Sequence, residues 1–185
     1  KETLHMKATF LLFIWALILY SSKEESFREP QPAGDPALTE DPKPLRGHYL
    51  GIDDQGKDTD TLIIESWGYH FKDAKDNDWL GRGVISDSLV IKFYESYCFV
   101  NFRSGDQWVL RVIKQKPSGD ITFMSLNVSD DAKRKDILKK LSKKFPVKEI
   151  ERKDDTFYQI APTKAQLIQL IKEGFFTGSE LSRVK

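Results

Sequence analysis

The side chains of this chain that could do acid–base or nucleophilic chemistry are few and scattered. Asp87 or Glu95 placed beside Asp106 would make the carboxylate pair of a hydrolase or sugar-processing enzyme, one acting as acid and the other as base or nucleophile. His48 and His70 have no second ligand at helical or hairpin spacing, so zinc is not expected. A Ser/His/Asp triad would have to recruit one of these two histidines without any local motif. Cys98 is the one cysteine, which excludes an internal disulfide and a thiolate metal cluster. Asp53-Asp54 with Asp58 and Asp60 lacks the alternation and the glycine of a calcium loop and reads as a solvated turn, as does the group Asp73, Asp76 and Asp78. There is no Gly-x-Ser-x-Gly elbow, phosphate loop or dinucleotide fingerprint, and Gly81-Arg82-Gly83 is too short to stand for one. No catalytic residue, no metal and no cofactor is therefore expected, and a binding protein is expected ahead of an enzyme.

Binding chemistry has better candidates. The chain carries 12 Phe, 6 Tyr and 4 Trp, most of them expected in the core. Trp67, Tyr69, Trp79 and Tyr94 fall near turns or opposite the expected core face, where rings with a polar handle suit an apolar, amphipathic or glycan ligand. With 29 basic and 28 acidic residues, no global attraction to nucleic acid is expected. Lys133, Arg134, Lys135, Lys139, Lys140, Lys143 and Lys144 could meet anionic lipid or polysaccharide. The plainer reading is a solvated helix face diluted by Asp130, Asp131 and Asp136.

The elements that must position these residues are mostly strands. His48 to Ile52, Thr61 to Glu65 and Trp67 to Phe71 are rich in β-branched and aromatic residues. Leu89 to Tyr94, Tyr97 to Phe102, Gln107 to Ile113 and Ile121 to Val128 follow at close spacing, with turn chemistry at Arg103 to Asp106 and Lys116 to Asp120, which implies an antiparallel meander. Period two assigns Leu89, Ile91 and Phe93, then Cys98, Val100 and Phe102, then Trp108, Leu110 and Val112 to the core. After Ser129 the period becomes helical, with Ile137, Leu138, Leu141 and Phe145 as the stripe and Pro146 as the stop. Val147 to Ile150 and Phe157 to Ile160 form a hairpin. Thr163 caps a second helix that ends at Gly174.

The N-terminal region reads as an address. Lys1 to His5 has the look of vector-derived residues, and residues 6–22 follow the layout of a signal peptide: Lys7, the apolar run Ala8 to Tyr20, then Ser21-Ser22. At about 13 residues the run is short for a spanning helix. Leu17-Ile18-Leu19-Tyr20-Ser21-Ser22 followed by Lys23-Glu24-Glu25 resembles the lipidation box and acidic sorting tag of Gram-negative lipoproteins, with Ser22 at the position of the acylated Cys. That resemblance implies export to the outer membrane, cell surface or periplasm, with membrane contact through the N-terminus if it is lipidated. A hydroxyl cannot replace the thiol in this acyl transfer, so Ser22 replaces a native Cys, marks an ordinary signal-peptidase cut, or follows a run that stays uncleaved as an anchor. Residues 23–46, with Pro30, Pro32, Pro36, Pro42 and Pro44, read as a disordered tether.

The remaining residues, 47–185, make about 140, enough for one domain with a real core. The expected class is α+β: an antiparallel β-meander or small barrel followed by helix, β-hairpin and helix. Gly47-His48-Tyr49 resembles the Gly-x-Trp start of lipocalin-type barrels, which implies a Tyr49 ring plugging a barrel floor. The expected function is a non-enzymatic cell-envelope protein that binds a small apolar or amphipathic ligand, or a partner. The alternative is an envelope hydrolase with carboxylate chemistry.

Overall fold

The structure is a computed structural model that describes residues 23–52, 58–74, 81–153 and 155–184. Its frame is a nine-stranded antiparallel sheet that rolls into a nearly closed barrel. The strands in chain order are β2 (Gly47–Ile52), β3 (Asp58–Glu65), β4 (Gly68–Phe71), β5 (Arg82–Val84), β6 (Leu89–Tyr94), β7 (Tyr97–Ser104), β8 (Gln107–Gln115), β9 (Ile121–Leu126) and β12 (Phe176–Arg183). In space they run β5-β4-β3-β2-β12-β9-β8-β7-β6. The expected meander accounts for two of its arcs, β2 to β5 and β6 to β9. The last strand, β12, lies between β2 and β9 and joins them.

Beside the barrel is a three-stranded sheet of β1 (Lys23–Ser26), β11 (Thr156–Gln159) and β10 (Lys148–Glu151), in which β1 runs parallel to β11. Two helices complete the fold, α1 (Asp131–Ser142) and α2 (Lys164–Lys172). Asp130 caps α1 by accepting from the Ala132 and Lys133 amides, while the Ser129 hydroxyl donates to Asn127. Thr163 and Gln166 form a reciprocal capping box on α2. Gly174, at φ +80°, provides the left-handed residue that turns the chain from α2 into β12.

Two cores follow from the pleat, one on each face of β7 to β9. Inside the barrel, Cys98, Val100, Ile113 and Ile121 pack with Leu89, Ile91, Leu62, Ile64, Tyr49 and Leu45. On the outer side Phe99, Leu110, Val112, Met124 and Leu126 pack under the helices with Leu141, Phe145, Leu167, Ile168, Leu170 and Ile171. The register places Cys98 opposite Ile113 and Phe99 opposite Val112, so Leu110 and Val112 face away from Cys98 and Val100. The expected single core is thus two. Strand β7 is buried on both faces from Tyr97 to Asn101, as expected of a strand covered on two sides. Phe93, assigned to the core by period, sits at the strand end and is 48% exposed.

Residues 23–46 correct the expected tether. Phe27 is fully buried and exchanges both backbone hydrogen bonds with Trp108. β8 has room for this because only its C-terminal half, Val112 to Gln115, pairs with β9. Asn101, with no exposure, accepts from the Gln31 amide at 2.6 Å and donates to the Gln31 carbonyl at 2.9 Å. Lys92 donates to the Pro30 and Pro32 carbonyls at 2.8 and 2.9 Å. Leu38 donates its amide to Ile91, and Leu45 enters the barrel core. Prolines deny the segment regular ladders, so side chains of β6 and β7 satisfy its backbone instead.

Candidate functional site

Three of the four rings expected to bind a ligand fall among the described residues, and they do not converge. Tyr69 points into the barrel, edge-on to Phe71 and Phe102 with centroids 6.3 Å away in each case. Tyr94 packs against the outer core, and the Lys164 ammonium lies 4.3 Å from its ring centre. Trp67 lies on neither core. Trp79 and Ser22 lie outside the described residues, as do Asp53, Asp54, Asp76 and Asp78. Of the carboxylates of the enzymatic alternative, Glu95 is in the turn before β7, where it pairs with Lys172, and Asp106 follows its far end, where it pairs with Arg152. Asp87, in the turn before β6, lies at the same end of the β6–β7 pair as Asp106, and both are exposed. Among the described residues no group of three or more His, Cys, Asp or Glu could hold a metal.

What the structure does bring together is Trp67, His70 and Arg82. The Trp67 and His70 rings stack at 5.7 Å with an 8° interplanar angle, and the Arg82 guanidinium sits 4.7 Å above the Trp67 ring. Local backbone makes this possible. His70 and Arg82 are cross-strand partners, and Gly68 faces Val84 across the same pair of strands. Gly68 has φ +142°, and a Cβ there would run into the Gly83 carbonyl; a Cβ on Gly83 would strike the Tyr69 ring. Two glycines therefore let β5 approach β4 closely enough for Arg82 to cover Trp67. Stacked against an imidazole and met by a cation, the indole is held in a fixed orientation.

This group stands on a sheet face that belongs to neither core. His48, Ile63, His70 and Arg82 form one cross-strand row, and His48, Arg82 and Val84 are exposed. Sequence reasoning had Trp67 in view but missed its neighbours. The signal was available in the repeated glycines, Gly68 and Gly83, flanking a ring and a cation.

Comparison with protein-family models, curated proteins and solved structures found no match.

Buried polar groups mark a second unusual place, at the start of β1. Arg111 bonds Glu24 at 2.9 Å and Glu25 at 3.4 Å, and the three side chains are 11%, 14% and 2% exposed. Burial pushes the Glu25 carboxyl up to about 8, helped by the Glu24 charge and opposed by Arg111. Burial alone would lower Arg111, but Glu24 and Glu25 outweigh it and hold the guanidinium firmly charged. Glu24 and Glu25, read from sequence as part of a sorting tag, therefore also carry structural weight. Asp41, 5% exposed, is raised by burial to about 7 against the pull of Arg46. Cys98 is 1% exposed, and burial and then the Asp41 charge push its thiol well above its ordinary value, which suits an inert thiol.

Among the described residues the barrel interior is lined by packed apolar side chains. Tyr49 is fully buried, donates to the Leu45 carbonyl at 2.8 Å and lies 5.8 Å from the Arg183 guanidinium. A depression of about 170 Å³ lies at Lys144, Phe145, Gln166, Gln169 and Leu170, below the usual size of a ligand site. Among the described residues no helix is long and apolar enough to cross a membrane.

Proposed function

We propose that this chain is a non-enzymatic protein of the cell envelope that binds a protein partner on the outer face of β2 to β5, centred on Trp67, His70 and Arg82. One observation carries the reading: a half-buried indole oriented by a stacked imidazole and a guanidinium stands on a sheet face that, among the described residues, belongs to neither core. Trp and Arg dominate binding energy at protein interfaces because a large ring and a planar fork lose little entropy on contact. The apolar side chains packed inside the barrel among the described residues support a surface partner over a small internal ligand. Glu95 stands apart from Asp106, and Asp87 and Asp106 are exposed turn residues rather than a buried pair, which supports binding over carboxylate catalysis. A nearly closed sheet with Tyr49 inside it supports a likeness to lipocalin-type barrels, from which nine strands and the inserted helix, hairpin and helix depart. The envelope assignment rests on the N-terminal resemblance to lipoprotein signals.

The test is a photo-reactive amino acid at Val84, which is 49% exposed beside Arg82. In cells it should give one discrete protein adduct that Trp67→Ala and Arg82→Ala each reduce at least tenfold, with unchanged urea midpoints. Absence of an adduct, or one indifferent to both substitutions, would overturn the proposal.

A further inference from the structure

The polar face of α1 lies beside the point where the chain enters the fold. Lys23, the first residue of β1, pairs with Asp131 in the first turn of α1 at 3.5 Å. Only Ser21 and Ser22 separate Lys23 from the apolar run that ends at Tyr20, a distance of about 10 Å at full extension. Since residues 23–46 pack on the barrel, they provide no spacer. An apolar run held in a bilayer, or a lipid attached at position 22, would therefore keep α1 within roughly one Debye length of the headgroups.

The helix is built to be attracted there. Leu141 is its one fully buried residue, with Ile137 and Leu138 half-buried on the same side. Lys133, Arg134 and Lys140 are neutralised by Asp130, Asp131 and Asp136, and Lys144 by Glu173. Among the described residues Lys135, Lys139 and Lys143 have no carboxylate within ion-pair distance. Their spacing of four places them in one stripe about 12 Å long, on the side away from Leu141. All three are exposed.

Resting on the envelope reading of the N-terminal segment, we infer that this stripe docks on an anionic phospholipid surface, laying the outer side of α1 flat on the membrane. The proposal is independent of the partner face on β2 to β5. Each lysine near an anionic surface gains about a fivefold preference, and the preference falls away as salt shortens the Debye length to about 3 Å at 1 M.

Lysine acetylation followed by mass spectrometry tests it on the full chain bound to vesicles. On phosphatidylcholine vesicles containing phosphatidylglycerol, Lys135, Lys139 and Lys143 should react about fivefold more slowly than on phosphatidylcholine alone. High salt should abolish the difference, and Lys43 and Lys72 should react equally in both. Equal rates at the three lysines on the two kinds of vesicle would overturn the inference. So would protection by soluble dextran sulfate with none from anionic vesicles.

Discussion

Replacing Glu25 by Gln should change the pH dependence of stability more than stability itself at low pH. The folded carboxyl titrates near 8 and its ordinary value is 4.5, so the folded protein binds the proton more tightly than the unfolded chain does. A raised acid of this kind contributes its full stability below pH 4.5 and loses it as pH rises through about 8, at up to about 1.4 kcal/mol per pH unit. Over that window the loss is on the order of 5 kcal/mol, large against a domain's usual margin of about 5–15 kcal/mol. Gln has the shape of the protonated acid and cannot ionise, so it removes this loss while keeping a neutral group next to Arg111. Asp41 contributes in the same direction in both proteins, because its folded value of about 7 is also raised, and it cancels in the comparison. Urea unfolding followed by tryptophan fluorescence at pH 5, 6, 7 and 8 gives the two stability curves. They should lie close together at pH 5, and Glu25→Gln should become the more stable protein by several kcal/mol at pH 8. Parallel curves across the window would refute the reasoning, since they would mean that Glu25 ionises in the fold as easily as in the unfolded chain.

Other expectations come from single contacts. Asn101→Ala strands the amide and carbonyl of Gln31 without partners, and should cost about 2–4 kcal/mol in urea unfolding while speeding protease cleavage between residues 28 and 46. Gly178→Ala pushes a Cβ into the Phe123 carbonyl where β12 meets β9; a loss of about 3 kcal/mol or more is expected, and a wild-type midpoint would count against β12 in the sheet. Cys98 should resist a thiol reagent in the native protein and react fully in denaturant, and rapid native labelling would contradict its burial.

Much of the barrel could be read from residues 89–128, because strands there alternate or run apolar between turns with evident Gly, Asp and Ser chemistry. The helices were legible too, from Thr163 and from the stripe ending at Pro146. Strand β12 was not: Thr177-Gly178-Ser179-Glu180 has little β propensity, and its place in the sheet is set by pairing with two neighbours already formed. Residues 23–46 misled for a related reason. Their prolines and carboxylates look like a solvated linker, whereas burial is supplied at isolated points by Phe27, Gln31, Asp41 and Leu45, and the residues that bond the segment, Trp108 to Phe27, Asn101 to Gln31 and Lys92 to Pro30 and Pro32, lie far away in sequence. In the candidate site, Trp67 was visible as a ring near a turn. His70 and Arg82 join it only through β4–β5 register, which composition does not report.

The most direct test of a surface-binding role is native mass spectrometry of the full chain, extracted gently from a bacterial envelope in which it is expressed. The account predicts the mass of the chain joined to a second polypeptide, with Trp67→Ala and Arg82→Ala each releasing it. A monomer carrying a small-molecule adduct that both substitutions leave in place would contradict it.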